Sequence, residues 1–231
     1  MGQRGRREKS LGGEVILPRS LLFYTGLMSD EAITGVLALA EKWGLPVPQE
    51  RAERIASYLS LLLTWNARVN LTGARGIREL LGDHLPDSFA LAKMCPRDSS
   101  VVDIGSGAGL PAIPFGILRP DCCVTLVEPR AKRIAFLNMA ARNCELRGGA
   151  VLRKRVEELT DSRYSVACSR ATFSPDAWLV AAHRLLISDG LAVVFTTSRD
   201  VVSPPSARIV DSVEYSTGAG SPRWCACYCF T

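Results

Sequence analysis

The chain has 231 residues, room for one sizeable α/β domain with a small addition, and its 47% apolar and 22% charged content excludes a disordered or fibrous protein. No apolar run approaches the ~20 residues that a bilayer-spanning helix needs, so a transmembrane helix is not expected. The net charge of +5 is too small for a global field that attracts nucleic acid, and any such contact has to be a local patch.

Residues 1–27 hold Arg4, Arg6, Arg7, Lys9 and Arg19 against Glu8 and Glu14, a net +3, and then a short apolar run at 21–24. The run lacks the length and the small-residue cleavage site of a signal peptide. This leader is expected to be disordered or loosely docked, and Met28 to open the ordered chain. Ser29 or Asp30 would cap a helix over 30–43 that stops at Gly44. A second helix, 49–65, sets Ala52, Ile55, Ala56, Leu59, Leu62 and Leu63 at helical spacing. Two short helices follow, over 75–81 and 86–94. This helical front, 28–99, is too small to fold alone and should pack on the domain that follows it.

From residue 100 strands and helices alternate. Strands are expected at 101–104, 123–128, 150–153, 164–168 and 191–195, which implies a mostly parallel sheet covered on both faces. Two β-rich stretches, 208–215 and 224–230, have no helix between them and should form an antiparallel edge pair. The domain so defined is 100–231.

The stretch that organises this domain is Val101-Val102-Asp103-Ile104-Gly105-Ser106-Gly107-Ala108-Gly109-Leu110-Pro111. A β-branched strand gives way to three glycines at alternate positions, and glycine alone accepts both the positive φ of such a turn and a ligand against bare backbone. The next strand ends in Glu128, about 20 residues on, where nucleotide-binding α/β units hold ribose hydroxyls. The spacing is not that of the dinucleotide fingerprint, and Asp103 beside the turn would repel a pyrophosphate. An anion there suits a cationic sulfonium with an ammonium group, so S-adenosylmethionine is expected rather than NAD. The competing reading is a glycine turn that binds nothing.

Of the eight cysteines none forms C-x-x-C, and Cys225, Cys227 and Cys229 share one face of the last strand. The two histidines, His84 and His183, have no metal spacing, so no metal site is expected and the cysteines read as small buried hydrophobes in a reducing cytoplasm. Cys168 admits a rival in which a thiolate attacks a pyrimidine, but Val166 and Ala167 precede it where that chemistry usually has proline.

Several separated stretches together resemble one family. They are Trp65-Asn66-x-x-Val69-Asn70-Leu71-Thr72, His84-Leu85-x-Asp87-Ser88, the glycine loop continued to Ile113-Pro114, Lys132-Arg133-x-x-Phe136-Leu137, Arg155-Val156-Glu157-Glu158 and Ser169-Arg170-Ala171. In this order they resemble the bacterial glucose-inhibited division protein B family, the small-subunit ribosomal RNA guanine-N7 methyltransferases. The resemblance implies a class I S-adenosylmethionine-dependent methyltransferase fold, Rossmann-like, preceded by a small helical region. It also implies methyl transfer to N7 of a guanine in 16S rRNA or the 30S particle, in the cytoplasm.

The cofactor residues expected on this basis are Asp103, Gly105, Ser106, Gly107, Gly109, Leu110, Glu128, Val156, Glu157 and Arg170. Gly105 and Gly107 would lie beside the methionine part, Glu128 on the ribose and Val156-Glu157 near adenine. Arg170 is also the expected substrate-positioning cation, and His84, Arg133, Arg199 and Arg223 are expected to meet RNA. Glu128 departs from the family's usual aspartate, and Phe195-Thr196-Thr197-Ser198 stands where the family tends to place a lysine and a glycine. That second departure favours an alternative, a non-catalytic RNA-binding or assembly factor; a methyltransferase with another substrate is a further one. N7 carries a free lone pair and no proton, so no general base is expected. The Asn/Asp-Pro-Pro-aromatic clamp typical of amine methylation is replaced by Cys168-Ser169-Arg170-Ala171.

Overall fold

The computed structural model describes residues 20–160 and 163–231, with side chains from Asp30 onward. Residues 1–19 of the expected leader lie outside the described residues. The first helix, α1 (Ser20–Trp43), runs through Ser29 and Asp30 without a break, so neither residue caps it and the helix expected over 30–43 begins earlier, at Ser20.

Helix α2 (Gln49–Val69) buries Ala52, Ile55, Ala56, Tyr58, Leu59 and Leu62 along one stripe and ends at Asn70 in the left-handed conformation. Asn66 ties the chain that follows: its Oδ1 accepts from Leu71 N at 2.7 Å and Thr72 N at 2.9 Å, and its Nδ2 donates to Ala74 O at 3.2 Å. Trp65 packs on Phe136 at 5.8 Å between ring centroids. The Trp-Asn-Leu-Thr stretch is therefore a structural knot that holds the helical front on the domain.

The helix expected at 75–81 is a single turn, α3 (Ile77–Glu79), which widens into a π-turn, Leu80–His84. Such widenings interrupt the regular ladder and often mark functional positions. Helix α4 (Pro86–Met94) then buries almost its whole surface, as a short element inside the core must.

The sheet strands are β1 (Ser100–Ile104), β2 (Cys123–Val127), β3 (Ala150–Leu152), β4 (Tyr164–Ser169), β5 (Leu186–Thr196), β6 (Ala207–Ser216) and β7 (Pro222–Phe230). Their order is β3-β2-β1-β4-β5-β7-β6; β1 to β5 pair in parallel, and β7 is antiparallel to both β5 and β6. The expected edge pair forms, with the later strand on the inside. Helices α5 (Ala112–Leu118), α6 (Ala131–Asn143) and α7 (Pro175–His183) make the crossovers.

Alternate strand residues serve two cores. Val101, Val124, Leu126, Val166, Cys168, Val193, Cys225 and Cys227 join the helical front, α5 and α6 in one. Val102, Ile104, Val127, Ala167, Val194, Trp224, Ala226 and Tyr228 join α7 in the other. The first core takes in side chains of α1, α2 and α4, so the helical front shares its core with the sheet, as its size requires.

Strand β6 lies on the outer edge, with a bulge between Ile209 and Asp211 and with Ile209 and Val210 exposed. The tip of the β6–β7 hairpin folds back onto the π-turn. Gly218 N donates to Gly82 O at 2.8 Å, and a Cβ on Gly218 would lie 2.9 Å from Gly82 Cα, so the two backbones touch where no side chain fits.

Candidate active site

Sheet order reverses at β1: β2 lies on one side and β4 on the other, which opens a crevice beyond the carboxyl ends of these strands. The glycine loop fills the mouth of that crevice. Gly105 N and Ser106 N donate to Val127 O at 2.8 and 3.0 Å, which carries the loop from the end of β1 to the end of β2. Ser106 Oγ accepts from Val127 N at 3.0 Å and donates to Asp103 O at 2.9 Å. Ser106 is thus a buried staple of the loop. Gly105 has φ +73°, and a Cβ there would sit 2.3 Å from Thr172 Oγ1, so both conformation and space demand glycine. The expected residues Gly109 and Leu110 are packed inward: Leu110 is buried, and a Cβ on Gly109 would meet Ile113 at 2.4 Å.

Tyr58 holds the loop from beneath, its hydroxyl donating to Ala108 O at 2.7 Å. The residue follows Ile55 by three positions and precedes Leu62 by four, so its ring belonged to the buried stripe of α2. A buried phenol needs an acceptor, and that requirement is the sequence signal by which this contact was available.

Asp103 is 1% exposed, and its register partner across the sheet is Cys168. The Cys168 thiol lies 3.6 Å from Oδ1, and Oδ2 has no hydrogen-bond partner among the described residues. Burial pushes the Asp103 carboxyl up to about 7. A buried carboxylate oxygen without a donor, beside a loop of bare backbone, is what a cationic ligand group would complete. Cys168 is fully buried, and burial and the neighbouring Asp103 raise its thiol well above the ordinary value. That is the setting of a packed cysteine, not of an activated nucleophile.

Glu128, 2% exposed, turns back on the loop. Its Oε2 accepts from Gly107 N at 3.1 Å and its Oε1 from Arg130 N at 2.9 Å, with Arg133 Nη1 3.6 Å from Oε2. An ionised carboxylate has about four acceptor positions, so two remain for hydroxyls. The longer arm of glutamate is what reaches the Gly107 amide. Arg133, expected at RNA, stands beside this carboxylate. Val156 is half-buried and Glu157 exposed in a 3-10 turn, Val156–Glu158, closed by Glu158 Oε2 accepting from Arg155 N at 2.6 Å.

The remaining expected residues separate into two groups. Arg170, at the exit of β4, donates through Nη1 to Asp87 Oδ2 at 2.8 Å and to His84 O at 3.4 Å. His84, in the π-turn, has its imidazole pKa lowered by burial and then by Arg170, with Arg223 adding to the effect. Arg223, at the start of β7, is the register partner of Tyr215 and has a buried Nε without a hydrogen-bond partner among the described residues. His84, Arg170 and Arg223 therefore gather on one rim. Arg199 stands apart from them, paired with exposed Glu214. Asp87 and Tyr215, which tie this rim together, were not among the expected site residues.

Comparison with known proteins identifies the family. A family model described as rRNA small subunit methyltransferase G, GidB, matches residues 51–201. Ribosomal RNA small subunit methyltransferase G of Leptothrix cholodnii is 37% identical over 160 residues, covering 67% of this chain and 73% of that one. The protein of the same name from Halorhodospira halophila is 34% identical over 183 residues, covering 77% and 87%. Among solved structures, TrmN from Thermus thermophilus aligns with a TM-score of 0.52 at 18% identity, over 62% of this chain and 48% of that chain, a likeness of fold. The sheet is the expected class I methyltransferase fold, and the chain belongs to the GidB family, rRNA small subunit methyltransferase G.

Proposed function

We propose that the chain transfers a methyl group from S-adenosylmethionine to N7 of a guanine in the 16S RNA of the small ribosomal subunit, in the cytoplasm. The observation that carries the reading is the crevice at β1: a buried Asp103 oxygen lacking a donor, next to a backbone loop that Glu128 braces. The family and the names of its relatives supply the RNA. S-adenosylmethionine, when bound, supplies the methyl group as an electrophile. Asp103 would hold its ammonium end, the backbone of Gly105 and Gly107 would lie beside the methionine part, Glu128 would accept from ribose hydroxyls, and Val156 with Glu157 would flank the adenine.

Displacement at N7 needs no proton removed, so the protein's task is to hold the guanine in line with the methyl at near-attack distance. Such positioning accounts for ~7–11 kcal/mol of barrier in favourable cases. Arg170 is the cation set for that task at the exit of β4, because a guanidinium pairs with phosphate or with guanine O6 and leaves the N7 lone pair free. His84 and Arg223 add donors on the same rim. The lowered pKa keeps the His84 imidazole neutral near pH 7, so it acts as a hydrogen-bonding group rather than a charge.

The test is to map N7-methylguanine in 16S rRNA from cells with and without this protein, and to titrate the purified protein with S-adenosylmethionine. A modification that depends on the protein, with saturable cofactor binding, is the expected result. RNA modified equally in both strains, together with no heat on titration, would overturn the reading in favour of a non-catalytic assembly factor.

A further inference from the structure

We infer that Tyr215, on the outermost strand of the sheet, is a positioning residue for methyl transfer: through Asp87 it fixes Arg170 at the crevice. The inference rests on the methyltransferase reading above.

Asp87 is wholly buried, and a carboxylate removed from water has to be matched by donors. Among the described residues two supply it: the Tyr215 hydroxyl donates to Oδ1 at 2.5 Å, and Arg170 Nη1 donates to Oδ2 at 2.8 Å. Arg170 and Tyr215 lie 83 and 128 positions from Asp87, so α4, the exit of β4 and β6 meet at one carboxylate. A carboxylate held at one oxygen can still swing about its own bond; held at both, from two different elements, its plane is fixed. In this bond the phenol is the donor: a carboxylate only accepts, and burial and Asp87 both raise the Tyr215 pKa and so keep its proton in place. Its ring is in turn lodged edge-on against Trp43, 5.2 Å between centroids.

Both contacts of Arg170 use Nη1. A guanidinium has five N–H donors in a rigid plane, so an anchor at one corner aims the rest of the fork. The hairpin does not need the Tyr215 hydroxyl for attachment, since the β5–β7 ladder and the bond from Gly218 N to Gly82 O already dock it. What the hydroxyl adds is direction for a cation that belongs to the substrate rim.

Tyr215→Phe removes the hydroxyl and leaves the ring on Trp43. The expected outcome is a kcat for methyl transfer to small-subunit RNA lower by ~10- to 100-fold, the scale of a misplaced reacting partner. The S-adenosylmethionine Kd should stay within about two-fold, since the hydroxyl has no part in cofactor binding. Arg170→Lys keeps a cation for Asp87 and loses the fork; it should reproduce the kcat loss, and the double variant should lose less than the product of the two. Unchanged kcat in Tyr215→Phe, or fully multiplicative losses in the double variant, would overturn the inference while the proposed function stands. A parent protein that binds cofactor and methylates no small-subunit RNA overturns both. Where Tyr215→Phe does not fold, Asp87→Asn, which can accept only one of the two bonds, is measured by the same criterion.

Discussion

Replacing Asp103 by asparagine should trade cofactor affinity for stability, with a sign that depends on pH. Burial pushes this carboxyl up to about 7 from 3.8, so the folded protein holds the proton more tightly than the unfolded chain does. The resulting contribution to stability is fully present below the unfolded value and is lost as pH rises through about 7. A rise of roughly 3 units corresponds to ~4 kcal/mol lost once the group is ionised. Asparagine does not titrate, but an NH2 placed where Oδ2 now lies lacks an acceptor, at a cost of ~1–3 kcal/mol at every pH. The variant should therefore be less stable than the parent by ~1–3 kcal/mol near pH 4 and more stable by about as much near pH 8. Urea unfolding without cofactor, followed by tryptophan fluorescence across that range, measures both curves. Parallel curves would refute the reasoning, since the swing between them comes from this one group. With S-adenosylmethionine at saturation the gap at pH 8 should close, because a Kd that rises ~10- to 100-fold on losing a charged hydrogen bond stabilises the parent over the variant by ~1.4–2.7 kcal/mol.

Gly105→Ala forces an L-residue to φ +73° with its Cβ 2.3 Å from Thr172 Oγ1; it should lower stability by at least ~1–2 kcal/mol and abolish the calorimetric signal of cofactor binding. Cys168→Ala should leave methyl transfer within a few fold, read by incorporation of a labelled methyl group, because the thiol is packed rather than reactive. Loss of all activity with the fold intact would restore the cysteine-nucleophile reading. Gly218→Ala sets a methyl 2.9 Å from Gly82 Cα and should cost ~1–3 kcal/mol in urea unfolding; an unchanged midpoint would mean that the hairpin tip is not tightly docked.

Much of this architecture follows from local pattern. The buried stripe of α2, the parallel strands and the glycine turn each rest on a period or a spacing within a few residues, and they stand where the pattern puts them. The beginning of β5 did not, because Asp189 and Gly190 look like a turn; in the sheet Leu186 pairs with Tyr164 across a register shift that absorbs them. The start of α1 at Ser20 was hidden for a similar reason: Ser29 and Asp30 make good caps, yet they lie within a continuing helix. Side-chain roles that depend on distant partners were hardest to read. Glu128 looked like a free ribose ligand, and only the folded loop reveals the Gly107 amide within its reach. Arg199 and Arg223 are equally basic as letters; Glu214 takes the first, while the second is drawn into the rim by its pairing with Tyr215.

The irregularity in β6 bears on how the molecule meets copies of itself. An outer strand of ten residues with exposed Ile209 and Val210 is a ready template for another chain's backbone. The extra residue between Ile209 and Asp211 throws the strand's free amides and carbonyls out of step, and Asp211 and Glu214 place charge beside them. Deleting Val210 would straighten that flank, and the same change that tidies the ladder would invite neighbouring molecules to extend it.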